Sequence, residues 1–465
     1  MRVNITTDSR KVQPGDIFVA VKGYTVDGHD FIEKAIANGA SKIICNHGSY
    51  DVETIVVEDT LGYMSTYLKE HYGKYLEQMK LIAITGTNGK TTTACLLHNA
   101  LNSIGHKCAY IGTIGFYVGK KICALNNTTP ALDDLYRLFM DAYEMGCEYL
   151  VMEVSSQGLA NRRVEQILYD YAVFTNLTQD HLDFHKTMGN YALAKQQLFR
   201  QLKPGGKALV NADDSFKQYY LLEENENITY GLQMGDYKAE NIRMTHRGSS
   251  FRLRTKDFLE TIETPLIGNY NIYNVLVVIV LLLQLGLSIE EVKNIIVKLK
   301  APDGRMDTVA YGTNSIIVDY AHTPDAIKNL LDTMKGVATS HIYAVFGCTG
   351  DRDRLKRPIM TKMVTDMVDY AIITIDDPHN EDPRHVVSDM IEGLDNTNYE
   401  VILNRGKAIE RGIDLLKEED ILLILGKGHE SVIIMKDKKI PFNDKEHVIQ
   451  YIKEKEAVFS NLEVD

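Results

Sequence analysis

The chain has no cysteine pair at the spacing of a redox or zinc motif. Its six cysteines, Cys45, Cys95, Cys108, Cys123, Cys147 and Cys348, stand far apart with no CxxC. That excludes a zinc ribbon and a disulfide framework, and it points to reduced thiols in a cytoplasmic setting. Positive charge is also scarce: 51 Lys and Arg face 63 Asp and Glu, a net charge of −12. A broad nucleic-acid or anionic-membrane surface needs clustered Lys and Arg, so neither partner is expected. The first residues, MRVNITTDSRK, lack the apolar stretch of a secretory signal. The longest apolar run, 275–285, contains Gln284 and is too short to cross a bilayer, so it reads as a buried helix. Internal repeats and low-complexity tracts are absent.

What is present is the material of an ordinary multi-domain enzyme. At roughly 100–200 residues per domain, 465 residues predict about three domains. The apolar and charged fractions, 45% and 25%, are those of a globular chain, which argues against wholesale disorder. Residues 1–78 hold short strand-like pieces at 17–21, 42–45 and 54–57 and a helical stretch at 30–38, a small α/β unit. A polar, tyrosine-rich segment, 69–78, leads into a second pattern. From 79 to 302 apolar strands at 81–85, 107–111, 149–153 and 172–175 alternate with amphipathic helices at 92–103 and 132–145. That is the rhythm of a parallel sheet covered on both faces. Past 303 the rhythm restarts with strands at 315–319, 341–346, 370–374, 401–403 and 421–425, which predicts a third, Rossmann-like α/β domain.

One loop carries the first chemical signal. Strand 81–85 runs into Gly86-Thr87-Asn88-Gly89-Lys90-Thr91-Thr92. The glycines allow a sharp turn with backbone N–H groups aimed at an anion, the following helix presents its positive end, Lys90 adds a point charge, and a Thr hydroxyl can ligate Mg²⁺. The general phosphate-loop pattern asks for Gly where this chain has Ile84, so the match is a variant. Alone it leaves kinase, GTPase, helicase and ligase open. Glu153 ends a second apolar strand at the edge where open α/β sheets bind ligands, a candidate Mg²⁺ ligand. A third strand runs into a dense group of acids and imidazoles that includes Asp180, His181, Asp183 and His185. Mg²⁺ prefers oxygen but accepts one imidazole, which makes His181 a further candidate.

Six motifs then fall in register: Gly86 to Thr92, Glu153-Val-Ser-Ser156, Asn176-Leu-Thr-Gln-Asp-His-Leu-Asp183, Gly268-Asn-Tyr-Asn271-Ile-Tyr-Asn274, Asp319-Tyr-Ala-His322-Thr-Pro-Asp325 and Gly426-Lys-Gly-His-Glu430. In this order the chain resembles the Mur ligase family, MurE type, over nearly its whole length. The resemblance implies ATP-dependent amide ligation through an acyl phosphate, with UDP-N-acetylmuramoyl-L-alanyl-D-glutamate as acceptor and a diamino acid as the group added. It implies Lys90 on the β- and γ-phosphates, Thr91 or Thr92 with Glu153 on one Mg²⁺, and His181 on a second. Lys195, in Tyr191-Ala-Leu-Ala-Lys195, matches a lysine that CO₂ converts to a carbamate ligand for Mg²⁺. Asn271 would lie near the adenine, Arg305 on a phosphate and Asp319 on the ribose. Ser9 in Asp8-Ser9-Arg10 belongs to the expected uridine site, and Asn127, Thr128, Thr129, Ser155, Ser156 and Arg163 to the grip on the nucleotide-linked peptide. The family usually has His after the Ser pair, and this chain has Gln157. Closure of the third domain would exclude water from the acyl phosphate.

The third domain is expected to read the amino acid. Arg352 matches an arginine that holds the substrate carboxylate, and Gly426 and Glu430 line the site of its distal amine. Diaminopimelate-adding members carry Asp-Asn-Pro-Arg where this chain has Asp376-Asp377-Pro378-His379. Losing the Arg and gaining a carboxylate at 377 predicts repulsion of a distal carboxylate, so L-lysine is the expected substrate, with diaminopimelate and ornithine as alternatives. A related enzyme acting on another peptide carrier and a folylpolyglutamate-type ligase are the other readings, the latter disfavoured by Asp8-Ser9-Arg10 and Asn127-Thr-Thr-Pro130. A monomer is expected.

Overall fold

Residues 81–84, Leu-Ile-Ala-Ile, carry apolar side chains on both faces, as a strand must when helices cover both sides of its sheet. In the computed structural model, which describes residues 2–23, 26–245 and 248–462, they lie fully buried in strand Lys80–Thr85. The chain forms two compact units. The first comprises Met1–Ala239, Leu253–Leu259 and Tyr273–Ile295, and the second Glu240–Arg252, Glu260–Ile272 and Ile296–Asp465.

In the first unit six parallel strands stand in the order Glu226–Gly231, Leu202–Asn211, Tyr169–Phe174, Lys80–Thr85, Tyr149–Glu153 and Cys108–Gly112. Antiparallel Gly115–Val118 and Lys120–Cys123 continue that edge. The chain builds one side of Lys80–Thr85 first and then crosses to the other. Strand order therefore reverses at Lys80–Thr85, and ligands of open α/β sheets bind at the carboxyl end of such a switch. Register completes the placement, because Ile84 pairs with Glu153 and Thr85 with Phe174.

The N-terminal strands Ile5–Thr6, Ile17–Val19, Lys42–Cys45 and Glu53–Val56 make a separate parallel sheet in sequence order. The tyrosine-rich segment at 69–78 is largely helix: Thr60–Leu76 is one element, capped where the Asp59 side chain accepts from Gly62 N. Tyrosine makes this possible, since it buries a ring and still bonds its hydroxyl. Tyr72 packs edge-on to Tyr136 at 6.4 Å, and its hydroxyl donates to Asn4 Oδ1 at 2.9 Å. A polar tie lies nearby: buried Asp133 accepts from Thr6 Oγ1 at 2.9 Å and Thr7 N at 3.2 Å. The apolar run at 275–285 is helical, in Asn269–Gln284, with 275–282 fully buried.

The second unit holds a six-stranded sheet in the order Asp307–Tyr311, Asn314–Asp319, Ile421–Leu425, Ile342–Cys348, Tyr370–Ile375 and Tyr399–Val401. Only the first pair is antiparallel. Apolar clusters cover both faces. The last strand begins earlier than the 401–403 read from sequence. Leu403 lies past it, packed on the core just before the Asn404 cap of helix Arg405–Leu415.

One charge lies inside this core. Arg405 is fully buried, with Nε and Nη2 on the two oxygens of equally buried Asp444 at 2.7 and 2.6 Å. Two further N–H groups go to Ile375 O and Leu425 O, both at 3.0 Å. Removing one partner of such a pair strands the other charge in a medium that solvates it poorly. Arg405→Ala is expected to destabilise the fold by about 3–5 kcal/mol, read as a lower denaturant midpoint; a shift worth less than about 1 kcal/mol would contradict it.

Candidate active site

The phosphate loop bends as the glycines predict. Gly86 has φ 146° and Gly89 φ 84°, and a Cβ at Gly86 would stand 1.9 Å from Thr175 Oγ1. Not every loop amide faces outward: Thr87 N donates to Asn176 O at 2.8 Å, and Asn88 N to Asn176 Oδ1 at 2.9 Å. The loop is thus sewn to the end of the neighbouring strand. Helix Lys90–Ser103 starts directly after Gly89, so its positive N-terminal end lies at the loop. Lys90 Nζ folds over the loop onto Gly86 O at 3.0 Å and Thr87 O at 2.9 Å.

Glu153 is fully buried, and four donors fix it. Thr91 Oγ1 reaches its Oε2 at 2.8 Å, Tyr110 OH its Oε1 at 2.5 Å, Thr113 N its Oε1 at 2.9 Å and Thr113 Oγ1 its Oε2 at 3.2 Å. The resemblance put Thr91 or Thr92 beside Glu153; Thr91 makes the bond, and Tyr110 and Thr113, from strand Cys108–Gly112 and the residue after it, were missed. The paired hard oxygens of Thr91 and Glu153 beside a phosphate loop suit Mg²⁺. Thr92 is buried in the same first turn.

Lys195, on helix Met188–Gln196, is buried, although an exposed face is the usual place for such a residue. Its Nζ donates to Gly86 O at 2.7 Å and lies 4.5 Å from the centre of the Tyr191 ring. Burial, and then the charge of Lys90, hold its pKa well below the ordinary lysine value, against the pull of Asp180. His181 takes φ 52°, opening helix Leu182–His185, and faces the same Tyr191 ring edge-on at 6.4 Å.

Around the expected acceptor site, Thr129 Oγ1 donates to Glu153 O at 3.1 Å and accepts from Ser155 N at 2.9 Å. Arg163 Nη1 holds Thr129 O at 2.9 Å, and Thr128 Oγ1 meets Thr113 Oγ1 at 3.1 Å. Ser155 caps helix Ser156–Ala160, which contains Gln157. An imidazole does stand at the Ser pair: buried His185 places Nε2 2.9 Å from Ser156 Oγ. Ser9 is buried and Asn127 exposed, and neither is joined to the Thr129 network by these bonds. Asn274, from helix Asn269–Gln284, accepts from Thr93 Oγ1 at 3.0 Å and would meet a Cβ at Gly89 within 2.6 Å.

In the second unit Asp319 is buried, and its oxygens accept from Met306 N at 2.7 Å and Ala321 N at 2.8 Å. It pins the turn that carries Arg305, whose guanidinium stacks on Tyr320 at 4.6 Å. Asn271 Nδ2 donates to Ile267 O at 2.8 Å. Arg352 is exposed in the turn after strand Ile342–Cys348. Its loop packs on 376–381: Gly350 N donates to Asp377 O at 2.7 Å, and buried Arg357 holds both Glu381 oxygens. His379 has φ 52°, and its N–H donates to Ile434 O at 3.0 Å.

Asp376, Asp377 and Glu430 converge on one ammonium, that of Lys427, which sequence reading passed over. Its Nζ is 2.8 Å from Asp377 Oδ1, 2.8 Å from Glu430 Oε2 and 3.5 Å from Asp376 Oδ1. Gly426 allows the approach, since a Cβ there would lie 2.5 Å from Asp376 Oδ2. Burial raises the Asp376 pKa to about 6 against the opposing pull of Arg405 and Lys427. Asp377, one of the two grounds for expecting L-lysine beside the missing Arg at 379, is not a free negative charge: Lys427 pairs with it, and Ile434 N donates to the same oxygen at 2.9 Å.

Three family descriptions match the chain: Mur ligase family, catalytic domain, over residues 3–65; Mur ligase middle domain, 84–282; and Mur ligase, glutamate ligase domain, 304–428. A UDP-N-acetylmuramoyl-L-alanyl-D-glutamate--2,6-diaminopimelate ligase of Clostridium acetobutylicum is 41% identical over 459 residues, 97% of this chain and 95% of that protein. A Bacillus cereus protein of the same name is 41% identical over 453 residues, 95% and 92% of the two. A solved structure of a ligase so named matches with TM-score 0.72 at 31% identity, over 97% of this chain and 95% of that one. Thermotoga maritima MurF, at 18% identity and TM-score 0.66, shares the fold. Diaminopimelate stands in the names of these MurE-type relatives, which gives the L-lysine expectation no support. By the length and identity of these matches the chain belongs to the Mur ligase family, as an ATP-dependent, ADP-forming ligase of MurE type.

Proposed function

We propose that this chain adds a diamino acid, of the 2,6-diaminopimelate class, to UDP-N-acetylmuramoyl-L-alanyl-D-glutamate in peptidoglycan precursor synthesis in the cytoplasm. The observation that carries the reading is the Gly86 carbonyl, on which the ammonium of Lys90 and the amine of Lys195 converge beside the buried Glu153 cluster. Diaminopimelate is favoured by the names of the relatives and by the pairing of Asp377 with Lys427. L-lysine is the second reading, favoured by His379, which lacks the guanidinium fork that grips a carboxylate.

A carboxylate is a poor electrophile, so a glutamyl carboxylate first attacks the γ-phosphorus of ATP, expelling ADP and forming an acyl phosphate. Lys90 neutralises phosphate oxygens from its perch on the loop carbonyls, and the first turn of helix Lys90–Ser103 supplies N–H donors. Mg²⁺, held by Glu153 with Thr91 or Thr92 and by His181 with a Lys195 carbamate, would supply charge neutralisation when bound. Tyr110 and Thr113 keep the Glu153 carboxylate in one orientation. The uncharged amine of the amino acid then attacks the acyl carbon, and phosphate leaves from the tetrahedral intermediate. Arg352 would hold the substrate carboxylate and Glu430 its distal ammonium. In the carbamate reaction the neutral Lys195 amine adds to CO₂ and releases one proton; burial and Lys90 make that amine neutral at a lower pH than an ordinary lysine.

Phosphate release with UDP-N-acetylmuramoyl-L-alanyl-D-glutamate and ATP is expected with meso-diaminopimelate across a panel that includes L-lysine and L-ornithine. Release with none of them overturns the ligase reading, and preference for L-lysine overturns the diaminopimelate reading alone. Lys195→Ala is expected to lower kcat by at least ~100-fold. Carbon-13 NMR of the wild type in labelled bicarbonate should show a carbamate that is full above the lowered pKa of Lys195 and lost as pH falls through it. Near wild-type turnover in the variant, or no carbamate signal, rejects that role.

A further inference from the structure

Lys427 is fully buried, and nothing in the chemistry above employs it. Its neighbourhood holds three carboxyl groups, those of Asp376, Asp377 and Glu430, all with an oxygen within 4.8 Å of one another. Carboxylates so close in a dry site repel and need a counter-charge. Arg405 favours the charged form of Asp376 through space, but its hydrogen bonds go to Asp444 and two backbone carbonyls, so it bonds none of the three. Lys427 is the cation hydrogen-bonded to Asp377 and Glu430. Burial alone would pull its pKa down, but Asp376, Glu430 and Asp377 outweigh burial and hold it above the ordinary lysine value, so it stays charged.

The segment so neutralised is 376–379, with Glu430, the place where the added amino acid's distal end is read in the function proposed above. We propose that Lys427 is a positioning residue that sets amino-acid selectivity: it cancels the charge of Asp377 and orients Glu430, which lets the pocket accept a distal carboxylate beside the distal ammonium. This inference rests on that functional reading. A lysine that merely filled space would affect every amino acid and ATP alike. A lysine that tunes pocket charge acts in opposite directions on an amino acid ending in an ammonium alone and one that also carries a carboxylate.

The test measures kcat and KM for meso-diaminopimelate and L-lysine at saturating ATP and UDP-N-acetylmuramoyl-dipeptide in the full chain; an inhibition constant replaces KM for whichever is not turned over. Lys427→Met is expected to shift preference toward L-lysine by about tenfold or more, through KM for the amino acids and not KM for ATP. Asp377→Asn keeps an oxygen for Lys427 and for Ile434 N but removes the charge that Lys427 cancels, and is expected to shift preference about tenfold toward diaminopimelate. The double variant, with both charges gone, should return close to wild type. Preference ratios within about twofold of wild type in Asp377→Asn and in any folded Lys427→Met overturn the inference. Should Lys427→Met fail to fold, Asp377→Asn decides alone. A wild-type chain active with one of the two amino acids but with unmoved ratios sinks only the role of Lys427; a wild type that releases phosphate with neither sinks the functional reading, and this inference with it.

Discussion

Two lysine side chains bond one backbone oxygen, the carbonyl of Gly86, with Lys90 Nζ at 3.0 Å and Lys195 Nζ at 2.7 Å. Two ammonium ions cannot share that position in a buried site without repelling one another, and the more deeply buried amine gives up its proton more readily. Burial, and then the charge of Lys90, hold the Lys195 pKa well below the ordinary lysine value. Much of the first unit serves to hold this arrangement. Gly86 takes φ 146°, where a Cβ would collide with Thr175, Asn176 fixes the loop beside it, and Tyr191 lies under the Lys195 amine.

The loop and the strands feeding it were legible because their signals are short-range. An apolar tetrad, a glycine turn and a helix start fit within a dozen residues, and the placement of Glu153 at a strand end needs only the alternation of strand and helix. Tyr110 and Thr113 were not legible as partners of Glu153, because those bonds depend on pairings between distant elements. Tyr110 reaches Glu153 across 43 positions, and nothing local distinguishes it from a core tyrosine. The helix Thr60–Leu76 escaped for a related reason: its tyrosines look polar in sequence and become core when Tyr136 stands opposite.

Charge shows the same limit more sharply. Counted along the sequence, 376–379 loses an Arg at His379 and gains a negative charge at Asp377, and the expectation of L-lysine followed from both. In the folded chain Lys427, 50 positions later, bonds that carboxylate at 2.8 Å, so the formal charge is no longer one a ligand would meet. Gly426 is what brings the two segments close enough, and its role is invisible until Asp376 is placed beside it. The residue types at 376–379 are read directly from the sequence; the pairing of Asp377 with Lys427 is not.

The left-handed backbone at His379 has a consequence that holds whatever the residue contacts. At φ 52° a branched β-carbon is strained before any ligand arrives, whereas His and other unbranched residues are tolerated and glycine is at ease. The backbone thus restricts which side chains drift or deliberate redesign can install at this point. Valine, isoleucine and threonine are removed from the repertoire by conformation alone, and long or ring-bearing side chains with an unbranched Cβ are retained. What this position can become is set by a torsion angle before any chemistry is considered.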